Sequence, residues 1–204
     1  MRQGENALKN ADKAIELSPR NDNFYILRAT ARIVMHDFEN AIADCTKAIE
    51  LNASNAYAYA LKADCQLLKG KPQEARIELE KALAIPTKLA AIQSAVSSIN
   101  AIYKLAAGET QAAKECAQSA LSTFKCTSAY YALGLVLLKE SQCEAAIAEF
   151  SKAIQRDSYC AEAYWYRHEA YIAAGKVDLA QKDRESAERL FAFPYPMFEF
   201  AKES

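Results

Sequence analysis

The sequence predicts an all-α protein in which one helical hairpin recurs along the chain. Three observations predict it: the composition, two alanine columns that recur in step, and turn residues between alternating helix types. The 204 residues include only five Gly and five Pro, Ala recurs throughout, and β-branched clusters are few. Such a composition favours helix. Ala7, Ala41, Ala75, Ala113, Ala146 and Ala180 form the first column. Ala14, Ala48, Ala82, Ala120, Ala153 and Ala187 form the second, seven residues later each time. Successive members are 34, 34, 38, 33 and 34 residues apart in both columns. A spacing of seven puts two small side chains on one helical face, where another helix can approach closely.

The elements follow in order. "ENALKNADKAIELSPRN" from Glu5 is a second-type helix with no first-type helix before it. First-type helices follow in "NFYILRATARIVM", "AYAYALKADCQLLK", "AVSSINAIYKLAA", "SAYYALGLVLLKE" and "AEAYWYRHEAYIAA", all with apolar residues at helical spacing. Each leads through a turn into an alanine-column helix. Gly70, Gly108 and Gly175 mark three of these turns, as a left-handed backbone requires, and Pro72 suits a first helical turn. His36 and Ser141 hold the same turn position elsewhere, so His36 reads as a turn residue and not as a ligand. The 38-residue step falls at "PTKLAAIQ". Leu89, Ile92, Val96, Ile99 and Tyr103 keep helical phase across it, which predicts one added helical turn, with Pro86 to Gln93 helical for most of its length. In the last helix Gln181, Arg184 and Glu188 stand where an earlier one has Ile147, Phe150 and Ile154. These positions are expected to face water and the array to end there.

The 34-residue helix–turn–helix unit resembles the tetratricopeptide repeat. "AYYALGLVLLKESQCEAAIAEFSKAIQRDS" and "FYILRATARIVMHDFENAIADCTKAIELNAS" carry the resemblance best, and it spans about Glu5 to Leu190. It implies a right-handed superhelical solenoid whose first helices line a concave groove. The units read as a half repeat over 1–21, repeats over 22–55, 56–89, 90–126, 127–160 and 161–190, and an aromatic tail over 191–204. By that geometry the groove would be lined by Ile26, Thr30 and Ile33, then Tyr57, Asp64 and Leu67. Tyr131 and Leu135 follow, then Trp165 and Glu169. Tyr and Trp offer large rigid contact area with a polar handle, so this reads as a surface for a peptide or helix. Asp64, Glu162 and Glu169 favour a ligand with some basic character. Some members of the family clamp a chaperone's C-terminal carboxylate with Lys, Asn and Arg. Those positions here read Ile26, Thr30, Leu61, Ala95 and Ile99, and shifted frames do no better, so a chaperone-tail adaptor is not expected.

Other classes are disfavoured. The formal net charge of -1 and the lack of a Lys/Arg track argue against nucleic acid. No run approaches the length of a membrane span, and the polar N-terminus does not read as a signal peptide. Cys45, Cys65, Cys116, Cys126, Cys143 and Cys160 show no zinc spacing and read as small buried thiols in a reducing cytoplasm. The two histidines, His36 and His168, lie far apart. Glu144 and Glu149 are expected on solvated faces, and no phosphate-binding loop occurs. The expectation is a non-enzymatic adaptor without cofactor or metal. The rival reading is a structural protein that self-associates through its partial first unit and its tail. That tail, "RLFAFPYPMFEFAKES", is expected to fold back and set Phe193 and Phe198 against the last two hairpins, or else to dock in a groove or serve as a partner motif.

Overall fold

Several helix starts in the first unit coincide with caps or tolerated first residues. Asn21 and Asn55 side chains accept hydrogen bonds from the backbone N–H of Asn23 and Ala58, both at 3.1 Å, and Pro72 opens a helix where its missing N–H costs nothing. The computed structural model describes residues 2–190, and the tail readings on Phe193 and Phe198 lie outside them. Eleven helices occur among the described residues, with no strand. They are α1 (Arg2–Leu17), α2 (Asp22–Val34), α3 (Phe38–Leu51), α4 (Ala56–Leu68), α5 (Pro72–Ala84) and α6 (Ala90–Ala106). Then come α7 (Thr110–Thr123), α8 (Thr127–Lys139), α9 (Cys143–Arg156), α10 (Ala161–Ala173) and α11 (Val177–Leu190). The fold is an all-α helical repeat solenoid.

The turns inside the hairpins share one backbone solution. Gly70, Gly108 and Gly175 have φ of 70°, 81° and 74°, and His36 and Ser141 adopt 60° at the equivalent place. The turn reading of His36 is thereby met. The extra residues are only partly where the sequence suggested. α6 has 17 residues where α4, α8 and α10 have 13, so one turn is indeed added. Residues 86–89 are not helical, however, so the stretch Pro86–Gln93 is helical only from Ala90 onward. The cause is Pro86, which forces the residue before it out of the helical region. Ile85 has ψ of 116°.

The chain forms two compact units, Met1–Thr87 and Lys88 onward. In the first, Ala29, Ala41, Cys45, Ala48, Ala58, Leu61 and Cys65 make a buried cluster between α2, α3 and α4. In the second, Phe150 of α9 is fully buried. Its ring lies 2.6 Å from where a Cβ on Gly134 would sit, so the glycine makes room for it. Both alanine columns are buried to 2 % exposure or less in α3, α5, α7, α9 and α11. In α1, Ala7 and Ala14 are only half-buried. The water-facing expectation for α11 holds: Gln181, Arg184 and Glu188 are exposed.

Candidate functional site

The ten groove residues divide by burial. In the first unit Thr30 is exposed, and Ile33, Tyr57 and Asp64 are half-buried. Ile26 and Leu67 are buried at 8 % and 4 % exposure. Ile26, Ile33 and Tyr57 come together on the cluster built around Ala29 and Cys45. In the second unit Glu169 is exposed, and Tyr131 and Trp165 are half-buried. Leu135 is fully buried in α8 and offers no surface to a ligand. Tyr131 is also more enclosed than a free groove anchor. Its ring lies 5.8 Å from Tyr166 and 6.2 Å from Phe150, both of them buried. Trp165 instead sits 5.5 Å from the His168 ring at a tilt. His168 Nδ1 is 2.9 Å from the Ala180 carbonyl oxygen, which ties α10 to α11.

Beside this face runs a polar pairing that the sequence reading missed. In four of the five hairpins, one position of the first helix meets one position of the second, sixteen residues on. Arg28 donates to both carboxylate oxygens of Asp44, at 2.7–3.1 Å, and also reaches Asp12 at 2.9 Å. Asp44 is only 2 % exposed, and its hydrogen bond is the main influence raising the already high pKa of Arg28. Lys62 meets Glu78 at 3.2 Å, Asn100 donates to Cys116 Sγ at 3.4 Å, and Arg167 holds both oxygens of Asp183 at 2.6 and 2.8 Å. The fourth pair in chain order is Leu133 with Glu149. The leucine donates nothing, and Glu149 Oε2 is buried and finds no donor among the described residues. Its Oε1 is met by Lys152 at 2.6 Å. Glu149 is therefore not on a solvated face as expected, because its column points at the paired helix. Glu144 is, with 69 % of its side chain exposed. The missed signal was a basic residue followed by a carboxylate sixteen positions later, at Arg28 and Asp44, Lys62 and Glu78, and Arg167 and Asp183.

The thiol reading is met in part. All six cysteines are free, but only Cys45 and Cys65 are fully buried. Burial pushes the Cys45 thiol up to about 12 and raises Cys65 as well. No group of three His, Cys, Asp or Glu among the described residues could hold a metal ion. No described helix is long and apolar enough to cross a membrane.

Comparison with known proteins completes this picture. Two family models, each described as tetratricopeptide repeat, match residues 35–99 in one case and 100–159 and 131–189 in the other. The chain belongs to the tetratricopeptide repeat family. Solved structures show the same fold. One is YrrB, a tetratricopeptide repeat protein with an unusual peptide-binding site, with a TM-score of 0.50, 22% identity, and coverage of 91% of this chain and 94% of YrrB. Cut9–Hcn1, an APC/C hetero-tetramer, matches at a TM-score of 0.67 and 15% identity over 93% of this chain and 37% of that one. Human IFIT1, a dimer with m7Gppp-AAAA, matches at 0.71 and 20% identity over 92% of this chain and 46% of that one. No curated protein sequence is significantly similar to the chain. Tetratricopeptide repeats build protein–protein interaction scaffolds, and this chain is one in that coarse sense.

Proposed function

We propose that this tetratricopeptide protein is a non-enzymatic adaptor that binds an extended or helical peptide with basic character on its first-type helices. Within the second unit Tyr131, Trp165 and Glu169 would contact the peptide, backed from inside by Leu135; within the first, Thr30, Ile33, Tyr57 and Asp64, backed by Ile26 and Leu67, would make a separate surface of the same kind. The observation that carries the reading is Trp165. This half-buried indole is the only tryptophan in the chain, and it lies one turn from the exposed carboxylate of Glu169. A large rigid ring beside an acid suits a ligand that presents an apolar group next to Lys or Arg. No cofactor or metal enters this reading, and neither does a carboxylate clamp.

The test is selection from a random peptide library against the full chain, followed by titration of selected peptides. Peptides rich in Lys or Arg next to an apolar residue are expected. Trp165→Ala should weaken their binding by about 1–3 kcal/mol while barely moving the melting temperature. Selected peptides that are acidic, or that bind Trp165→Ala as tightly as wild type, would sink the proposal.

A further inference from the structure

Beside Trp165 stands a histidine whose two ring nitrogens have unlike surroundings. His168 Nδ1 lies 2.9 Å from the Ala180 carbonyl oxygen. A carbonyl only accepts, so Nδ1 carries the hydrogen and donates it. In the neutral ring Nε2 is then a bare acceptor. Its neighbour is another acceptor: Glu169 Oε1 stands 3.7 Å away, too far for a hydrogen bond and near enough for an ion pair. The ring also lies 5.5 Å from the Trp165 indole, within the roughly 6 Å over which an indole face attracts a cation. One proton on Nε2 therefore turns a repulsive contact into an ion pair and adds an attraction to the indole.

Among the described residues, the other charged groups around this ring are paired with one another. Arg167 on α10 holds both oxygens of Asp183 on α11, with the Tyr164 and Tyr171 rings against its guanidinium. Arg184 on α11 occupies the column of Phe150, and His168 that of Gly134, beneath the Phe150 ring. Arg184 donates to Glu188 at 2.8 Å. The His168 ring points away from α8 and α9. Tyr166 is the side chain aimed at those helices, against Tyr131 and Phe150, and two positions along a helix turn a side chain by about 200°. Glu169 is thus the acid that a proton on His168 meets.

We propose, resting on the peptide-binding reading of Trp165 and Glu169, that His168 sets the pH range in which this site takes a basic ligand. With His168 neutral, Glu169 and the indole are both available to a Lys or Arg side chain of the peptide. With Nε2 protonated, the imidazolium engages both, and the peptide loses its acid and its ring together. Histidine changes charge between about pH 5 and 8, so binding is tight at the upper end of that range and weakens as the pH falls. By linkage, a bound basic peptide drives the proton off in turn. The chain has only two histidines, and the other, His36, belongs to the first unit.

Two measurements on the full-length protein test this, and one needs no peptide. As the chain's one tryptophan, Trp165 reports on the ring beside it. Its emission should change between about pH 8 and 5.5 while far-UV circular dichroism stays constant, and His168→Gln should abolish the change. The second measurement titrates a library peptide, selected at the upper pH for Lys or Arg beside an apolar residue. Wild type should bind it about fivefold or more weakly at the lower pH, and His168→Gln equally at both. Glu169→Gln, at an exposed position, should bind more weakly than wild type at the upper pH and equally at both. It carries the test if His168→Gln fails to fold. Constant Trp165 emission, a change that survives in His168→Gln, or a peptide affinity indifferent to pH would each overturn the role of His168 and leave the adaptor reading standing. Failure to select any such peptide at the upper pH would instead sink the adaptor reading, and this proposal with it.

Discussion

At the residue scale, the structure turns on where the repeat departs from its own rule. Gly134 is a departure that fits: without a Cβ it admits the Phe150 ring. Gly134→Ala should destabilise the protein by about 1–3 kcal/mol, because the added methyl would sit 2.6 Å from a ring held on all sides. A urea melt measures this, and an unchanged midpoint would mean that the ring can step aside. Leu133 is a departure that does not fit. The other hairpins offer a donor at this place, and here a carboxylate oxygen is buried without one. Leu133→Arg should form the paired hydrogen bonds that Arg167 makes with Asp183, and raise stability by about 1 kcal/mol net of the leucine packing it gives up. The gain should vanish in a Glu149→Ala background. Ser141 is strained in a milder way, since its φ of 60° suits glycine. Ser141→Gly should stabilise by about 1 kcal/mol in the same melts.

Element boundaries were legible wherever the determining chemistry is local. Alanine spacing, the turn glycines Gly70, Gly108 and Gly175, and Pro72 are all short-range signals, and the helices follow them. The stretch after α5 was legible only in part. Apolar phase revealed the added turn, but phase alone could not show that Pro86 would hold the four residues before Ala90 out of the helix. Burial was harder still to read. Tyr131 and Trp165 occupy the same column on successive helices, and a single-column reading treats them alike. Only the neighbouring Tyr166 and Phe150 show that Tyr131 is the more enclosed of the two. The polar pairs were missed because their two halves lie on different helices and each half reads alone as a surface charge. Hydrogen exchange tests the boundary. The Lys88 amide, outside any helix, should exchange quickly, and those from Ser94 onward slowly, since Ser94 is fully buried and its Oγ donates to the Phe124 carbonyl at 2.8 Å. Equal protection across the whole stretch would contradict the boundary at Ala90.

At the scale of the whole molecule, the repeat was legible because its period is written in alanine, but the division into two units was not. One clue lies in α5. The column there reads Arg76, Leu79 and Leu83, where α9 has Ile147, Phe150 and Ile154, and of the three only Leu79 is buried. Arg76 is exposed and Leu83 is 50% exposed. Each unit therefore carries its own core, and a repeat array's stability is a sum of local terms. Trp165 makes this measurable, since as the chain's one tryptophan it reports on the second unit alone. Phe150→Ala removes the largest fully buried side chain among the described residues, which lies in that unit, at a cost of about 3–5 kcal/mol. In urea, the Trp165 fluorescence transition should then move to lower concentration by the full cost. Far-UV circular dichroism, which sees all helices, should split into two steps, and the later one should keep the wild-type midpoint of the first unit. A single transition in which both signals shift together would instead show that the units unfold as one body. The sum of local terms would then be the wrong description of this array.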